Sequence, residues 1–243
     1  MLKAFYKKNE LGFSLVAIAA YVVLFSLADG LSQAVGVEKL FTAVFSMAAS
    51  VFLLGWIGKN GLLGKYGLEK KHIDGKKYLY FLPLALIISA NLWCGVTLRL
   101  SLMETALYIV AMLGVGIIEE VIFRGFLFRA LCKENVKTAV IVSSITFGMG
   151  HIVNLLNGAA FVPTLLQILY ASAIGFLFTV IVYKENALLP CIITHSAVNA
   201  LSVFARDRSM GADIAVAVLL MIIPLLYAWW ILKKTGPMAA ETK

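Results

Sequence analysis

Long apolar stretches alternate with short polar segments along the whole 243-residue chain. Eight of these stretches are long enough, or nearly so, to cross a hydrocarbon core, which takes about 20 residues of α-helix. They cover approximately residues 11–28, 40–57, 78–98, 105–126, 137–155, 163–183, 187–204 and 214–232. Because only short connections remain, the pattern predicts an all-α polytopic membrane protein of about eight transmembrane helices, with residues 1–243 forming one integral membrane domain.

The composition supports this prediction and excludes a water-soluble domain. Hydrophobic residues make up 61% of the chain and charged residues 14%, whereas a soluble domain has about 25% charged residues. A soluble globule of this size needs a polar surface that so few charges cannot supply. The three cysteines show no CxxC or metal-ligand spacing, which argues against a disulfide scaffold.

The basic residues predict the orientation of the chain. If the N-terminus is cytoplasmic, 17 of the 21 basic residues fall on the cytoplasmic side, six of them in the 58–77 loop. Only Lys39, Arg99, Arg206 and Arg208 fall outside. Short cytoplasmic loops carry such an excess of Lys and Arg, so both termini are predicted to be cytoplasmic. The net charge of +8 then reflects topology and contact with anionic membrane lipids, and no basic patch predicts a nucleic-acid partner.

Ionisable residues inside the 105–126 stretch need an explanation, because a charged side chain in a span costs at least about 2.5–3.5 kcal/mol. Glu120 and Arg124 are spaced i and i+4, which predicts an ion pair on one helix face. Glu119 has no such partner in its own segment. We therefore expect another helix to supply its hydrogen bonds.

Two further apolar stretches contain polar residues. His151 lies in the 137–155 stretch, close to Phe147, Gly148 and Gly150. Both glycines are expected to let this helix approach its neighbours closely. In the 187–204 stretch, Asn199 follows His195 by one helical turn, so both side chains are expected to project from one face.

These side chains suit the hydrolysis of a peptide bond by water. A carboxylate shielded from bulk water can act as a general base, and a neutral histidine beside it can help to polarise the water. A second histidine and an amide one turn away can donate hydrogen bonds to a developing oxyanion. No GxSxG motif is present and no cysteine lies in the three segments, so no acyl-enzyme nucleophile is evident.

The same residues permit a metal site. Glu119, His151 and His195 together provide one carboxylate and two imidazoles, a ligand set that with water suits catalytic zinc. The HExxH spacing of many zinc peptidases is absent. The residue pattern by itself leaves both chemistries open.

Three motifs in order resemble the signatures of the CPBP (Abi/CAAX) intramembrane proteases, which include the Ras-converting CAAX prenyl endopeptidases. They are Glu119-Glu120-x-x-x-Arg124, Phe147-x-x-x-His151 and His195-x-x-x-Asn199, and they lie in apolar stretches within residues 105–204. The resemblance implies an intramembrane cavity and a glutamate-type endopeptidase that uses no metal. It assigns Glu119 as general base, His151 as the residue that helps to activate water, and His195 and Asn199 as the oxyanion hole. Glu120, Arg124 and Phe147 become supporting residues.

The resemblance also implies a substrate, a membrane-associated protein or peptide that is lipidated or hydrophobic and is cut near the cytoplasmic face. The short loops fit a bacterial plasma-membrane member, whose substrate need not be prenylated. A different class of function stays open, in which the cavity binds a membrane partner such as a sensor kinase or an exported peptide without cutting it. A proton-coupled transporter is disfavoured, since the sequence shows no inverted repeat.

Overall fold

The structure is a computed structural model that describes residues 1–69 and 81–234. Within these residues the chain is helical, and the only β-type pairing is an isolated antiparallel bridge between Val96 and Ala205. In chain order the helices are α1 (Leu2–Lys8), α2 (Glu10–Val35), α3 (Leu40–Lys59), α4 (Leu84–Ser89), α5 (Leu102–Glu120), α6 (Phe128–Leu131), α7 (Val136–Gly150), α8 (Val153–Leu156), α9 (Phe161–Glu185), α10 (Leu189–Leu201) and α11 (Met210–Lys234). The predicted all-α class is confirmed.

Six helical segments in the described part of the chain are long and apolar enough to cross a membrane. They are Glu10–Val35, Leu40–Lys59, Leu102–Leu131, Val136–Leu156, Phe161–Glu185 and Met210–Lys234. Each coincides with one of the eight predicted stretches. Their outward surfaces carry many exposed large apolar side chains, as expected where lipid tails take the place of a protein core.

The other two predicted stretches have a different form. Helix α10 and the 3₁₀ turn after it cover Leu189–Phe204, which is apolar but shorter than the six long segments. Of the 78–98 stretch, residues 81–98 contain only α4 and a 3₁₀ turn at Ala90–Leu92. Helix α4 ends at Ser89, and beyond the 3₁₀ turn Gly95 takes a φ of 104°, a conformation that suits glycine and turns the chain.

Some of the residues used in the sequence analysis lie outside the described part. They are Lys70, Lys71, Lys76 and Lys77 of the 58–77 loop, residues 78–80 of the third stretch, and Lys243.

Helix α5 packs against α3 on one side and against α10 on the other, and small residues make both contacts possible. A Cβ on Gly114 would lie 2.6 Å from Ser46 Oγ of α3, and one on Gly116 would lie 2.4 Å from Ser196 Oγ of α10. Such distances are too short for any larger residue. Close backbone approach through small residues is how membrane helices gain packing energy, and it fixes α5 at the centre of the bundle.

The two glycines before His151 play different parts. A Cβ on Gly148 would lie 2.0 Å from Ser172 Oγ of α9, so this glycine allows the close approach that the sequence predicts. The same prediction is wrong for Gly150, because no atom lies within 4 Å of a Cβ built there. Gly150 lines an open cavity, so a larger residue at this position would not clash with a neighbouring helix.

Candidate active site

The helix that carries the glutamate pair begins with a strong cap and changes its winding directly after the pair. The Ser101 side chain accepts from the Glu104 backbone N–H, and the Glu104 carboxylate accepts from the Ser101 backbone N–H. This capping box satisfies donors at the helix start. After Glu120 the chain continues as a π-helical turn, Val121–Leu127, before α6. Sequence reasoning expected a plain α-helix here, and the wider turn is a feature often found at functional sites.

Glu120 and Arg124 form the predicted ion pair. Arg124 Nη1 donates to Glu120 Oε1 at 2.9 Å, and both side chains are fully buried. The Arg124 guanidinium also lies 4.0 Å from the centre of the Phe147 ring, a favourable cation–π position. Gly175 of α9 leaves space for this side chain, since a Cβ there would lie 2.9 Å from Arg124 Nη2.

His195 connects the two glutamates. Its Nδ1 lies 2.8 Å from Glu120 Oε1, and its Nε2 lies 3.4 Å from Glu119 Oε2. Because an ionised carboxylate only accepts hydrogen bonds, Nδ1 carries a hydrogen and donates it to Glu120. The ring therefore has a fixed orientation, with its Nε2 edge toward Glu119.

Glu119 receives its hydrogen bond from another helix, as the sequence predicts. The Tyr21 hydroxyl of α2 donates to Glu119 Oε1. The Glu119 side chain is 13% exposed, whereas that of Glu120 is completely buried. Sequence reasoning did not single out Tyr21. The available signal was a phenol within an apolar stretch, because a buried tyrosine hydroxyl usually has a partner.

Phe147 packs at the centre of the motif residues. Its ring centre lies 5.4 Å from that of His195 and 5.5 Å from that of His151, and both pairs meet edge to face. With Arg124 on the same ring, Phe147 contacts one residue from each of the other two motifs and one from its own. This supports its assignment as a positioning side chain.

His151 and Asn199 complete the set of side chains that the motifs predict. His151 is the C-cap residue of α7, and its Nδ1 lies 3.3 Å from the Phe147 carbonyl oxygen. Asn199 lies one turn beyond His195 on α10, and the described part of the chain provides no hydrogen bond to its side-chain amide. Both residues are half-buried and line the cavity beside Glu119.

This cavity has a volume of about 640 Å³ and lies among the membrane-spanning helices. Tyr21, Glu119, His151, His195 and Asn199 all line it. Glu120 and Arg124 do not, and lie behind it in the protein interior. The structure thus brings together the three sequence motifs and separates them into a cavity-facing set and a buried set.

Within the described residues, no three His, Cys, Asp or Glu side chains are arranged so that they could hold a metal ion. His195 is already engaged at both nitrogens by the two carboxylates. The residues proposed as zinc ligands therefore line one cavity without a common centre.

One comparison with known proteins matches this part of the chain. Residues 101–201 match the model of the type II CAAX prenyl endopeptidase Rce1-like family. The match runs from the start of α5 to the end of α10 and includes all seven motif residues, which confirms the resemblance noted in the sequence. No curated protein and no solved structure gives a match. The Rce1-like family is one of proteases, and with six apolar helices the chain is a multi-pass membrane protein.

Proposed function

We propose that this protein is an intramembrane endopeptidase in which Glu119 activates a water molecule that attacks a peptide bond. The observation that carries the proposal is a carboxylate inside a membrane-embedded cavity, contacted by Tyr21 and His195 and accompanied by His151 and Asn199. An intramembrane ionisable residue that faces a cavity points to function rather than to packing. The Rce1-like match supports the protease class.

The proposed reaction uses only these side chains and water. Glu119 takes a proton from water while the water oxygen forms a bond to the carbonyl carbon, and His151 polarises the same water. The carbonyl oxygen becomes an oxyanion. Glu119 then gives its proton to the nitrogen of the leaving amine as the C–N bond breaks, leaving a carboxylic acid and an amine.

The oxyanion needs two donors, for which we assign Asn199 and His195. The Asn199 amide has two N–H groups and no partner among the described residues, so it is available to donate. His195 already donates from Nδ1 to Glu120, so it can donate from Nε2 only as the doubly protonated ring. Donors placed in advance, away from bulk water, typically contribute about 10²–10³ in rate each.

Glu120 and Arg124 contribute indirectly in this proposal. They hold the His195 ring and Phe147 in position from the buried side, where neither can reach substrate. Water activation by Glu119 and His151 needs no metal ion, and we propose that none is used.

The proposal is tested by replacing Glu119 with glutamine, which keeps the shape and removes the base. The purified protein in detergent is incubated with a library of hydrophobic peptides, both prenylated and unprenylated, and products are identified by mass spectrometry. Glu119→Gln should lower the cleavage rate by about 10²–10⁴ without changing the melting temperature. Glu134→Gln, at an exposed glutamate, is the matched control. Cleavage that persists in Glu119→Gln would refute Glu119 as the base. A partner that binds equally to both variants in the absence of any cleavage would instead favour the scaffold function.

We further propose eight membrane crossings with both termini in the cytoplasm. The backbone N–H of Leu188, before α10, donates to the Gly67 carbonyl oxygen, and the N–H of Thr97 donates to the Phe204 carbonyl oxygen. Gly67 and Thr97 therefore lie at opposite ends of α10. These contacts support counting α10 and the 78–98 stretch as two passes in addition to the six long helices. The excess of Lys and Arg at the end of the bundle near the termini supports the cytoplasmic assignment.

A further inference from the structure

The contacts between helix ends divide the bundle into two ends. At one end, Glu10 pairs with Lys65 at 2.8 Å and with Lys133 at 3.0 Å. We call this the basic end, since Lys8 at the end of α1 and Lys184 in the last turn of α9 also lie there. At the other end, Asp29 pairs with Lys39 at 3.0 Å and Arg99 pairs with Asp207 at 2.7 Å. We call this the opposite end.

The cavity extends from Glu119 toward the opposite end. Apart from the motif residues and Tyr21, its polar lining includes Asp29, Thr42, Asn91, Asn157, Gln167 and Ser202. Each lies where its helix or turn approaches the opposite end. Ser202, for example, follows the last turn of α10, close to the Thr97–Phe204 contact.

Toward the basic end the path from Glu119 is closed. Arg124, Phe126, Phe128 and Phe178 are 2% exposed or less. The polar residues of the basic end, Glu10 and Lys65 among them, do not line the cavity. A peptide therefore has a polar route to Glu119 from the opposite end and a sealed aromatic barrier on the other side.

The charge and hydrogen-bonding groups of the cavity lining also indicate which kind of substrate peptide the cavity can bind. Asp29 is neutralised by Lys39 and accepts a further hydrogen bond from Thr42. The other polar lining residues named above carry three amides and one hydroxyl, which can both donate and accept. Uncharged groups of this kind suit the backbone N–H and C=O groups of an extended peptide.

We propose that the substrate is an uncharged, extended peptide segment presented at the extracytoplasmic face of the membrane, such as part of an exported peptide or the outer flank of a membrane anchor. The inference rests on the proposed function and on the cytoplasmic placement of the basic end. It replaces the expectation of cleavage near the cytoplasmic face, because that side of Glu119 is filled by buried aromatic side chains.

Two measurements are needed: at which end of the bundle the cavity opens, and which end of the bundle faces the outside of the cell. After the native cysteines are replaced, Asn157→Cys places a thiol at the exposed mouth of the cavity, and Glu134→Cys places one at the exposed basic end. Each variant is purified in detergent, where both ends are accessible, and is assayed before and after reaction with a bulky maleimide. Labelling at position 157 should reduce Glu119-dependent cleavage at least tenfold, and labelling at 134 should not change it.

Orientation is then measured in intact cells with a membrane-impermeant maleimide. A protein that keeps only Cys94, which is exposed at the opposite end, should react, and the Glu134→Cys protein should not. Inhibition from position 134 but not 157, or labelling of 134 from outside the cell, would overturn the inference. If the unlabelled protein shows no Glu119-dependent cleavage of any peptide, the proposed function itself fails. If it does cleave but is inhibited only from position 134, or is labelled at position 134 from outside the cell, the endopeptidase function stands and only the extracytoplasmic route is refuted.

Discussion

Glu119 and Glu120 are neighbours in the sequence and lie in two different regions of the molecule. Consecutive residues on a helix point about 100° apart, so one backbone segment presents Glu119 to the cavity and Glu120 to the interior. Glu119 meets a hydroxyl and a histidine edge at the cavity wall, whereas Glu120 is enclosed with Arg124 in a fully buried pair. The same chemical group can thus serve the proposed reaction at one position and structural support at the next.

His195 couples the two regions, since it contacts one carboxylate with each ring nitrogen. The contact with buried Glu120 sets the orientation of the His195 ring. That orientation directs Nε2 toward Glu119 and the cavity. Changes in the buried region should therefore alter stability first and catalysis as a consequence. Changes in the cavity should alter catalysis alone.

The largest expected effect comes from removing the buried carboxylate. Glu120→Ala leaves the Arg124 charge buried without its partner, and breaking a buried pair in this way costs about 3–5 kcal/mol. We expect a large fall in melting temperature in detergent, whereas Glu119→Ala should melt close to the wild type. A Glu120→Ala protein with unchanged stability would show that the pair does not support the fold.

A double variant separates support for the fold from support for His195. In Glu120→Leu/Arg124→Met neither charge remains, and replacing a buried pair by apolar residues is often neutral for stability. We expect the melting temperature to recover while cleavage stays impaired, because His195 has lost the acceptor at Nδ1. Full recovery of cleavage would contradict the positioning role of Glu120.

The next effect concerns the cavity alone. Asn199→Ala removes one proposed oxyanion donor, which should lower kcat by about 10²–10³ with little change in KM. The melting temperature should stay the same, because the side-chain amide has no partner among the described residues to lose. Gln33→Ala removes an exposed amide of α2 and serves as the control. A change confined to KM would place Asn199 in substrate binding instead.

The sequence predicted the local features of this comparison well and the distant ones poorly. The Glu120–Arg124 pair follows from i, i+4 spacing, and the long helices follow from apolar runs that must satisfy their backbone hydrogen bonds internally. Tyr21 is 98 residues from Glu119, and His195 is 75 residues from Glu120. No local periodicity encodes such contacts. The sequence did not predict that the 78–98 stretch contains only a short helix, because hydropathy carries no information about a turn such as the one at Gly95.

A smaller effect should come from Tyr21, which contacts Glu119 without reaching into the buried pair. Tyr21→Phe removes one hydrogen bond to a charged group, worth about 1.5–3 kcal/mol. We expect kcat to fall by about tenfold or more. An unchanged kcat would indicate that Tyr21 contributes only through packing against Phe25.

The smallest expected effect is that of metal removal, and it decides between the two chemistries that the residue pattern permits. A zinc site would use the Nε2 lone pair of His195, whose Nδ1 donates to Glu120, and would replace the present contact between Nε2 and Glu119. If water is activated by carboxylate and imidazole, dialysis against a strong chelator should leave the cleavage rate unchanged, while a zinc peptidase treated in parallel loses its activity. Loss of cleavage that added zinc restores would contradict the metal-free mechanism. Because donation from Nδ1 to Glu120 would orient the His195 ring for zinc as well as for an oxyanion, such a result would leave the positioning role of Glu120 intact and would change only the group that activates the water.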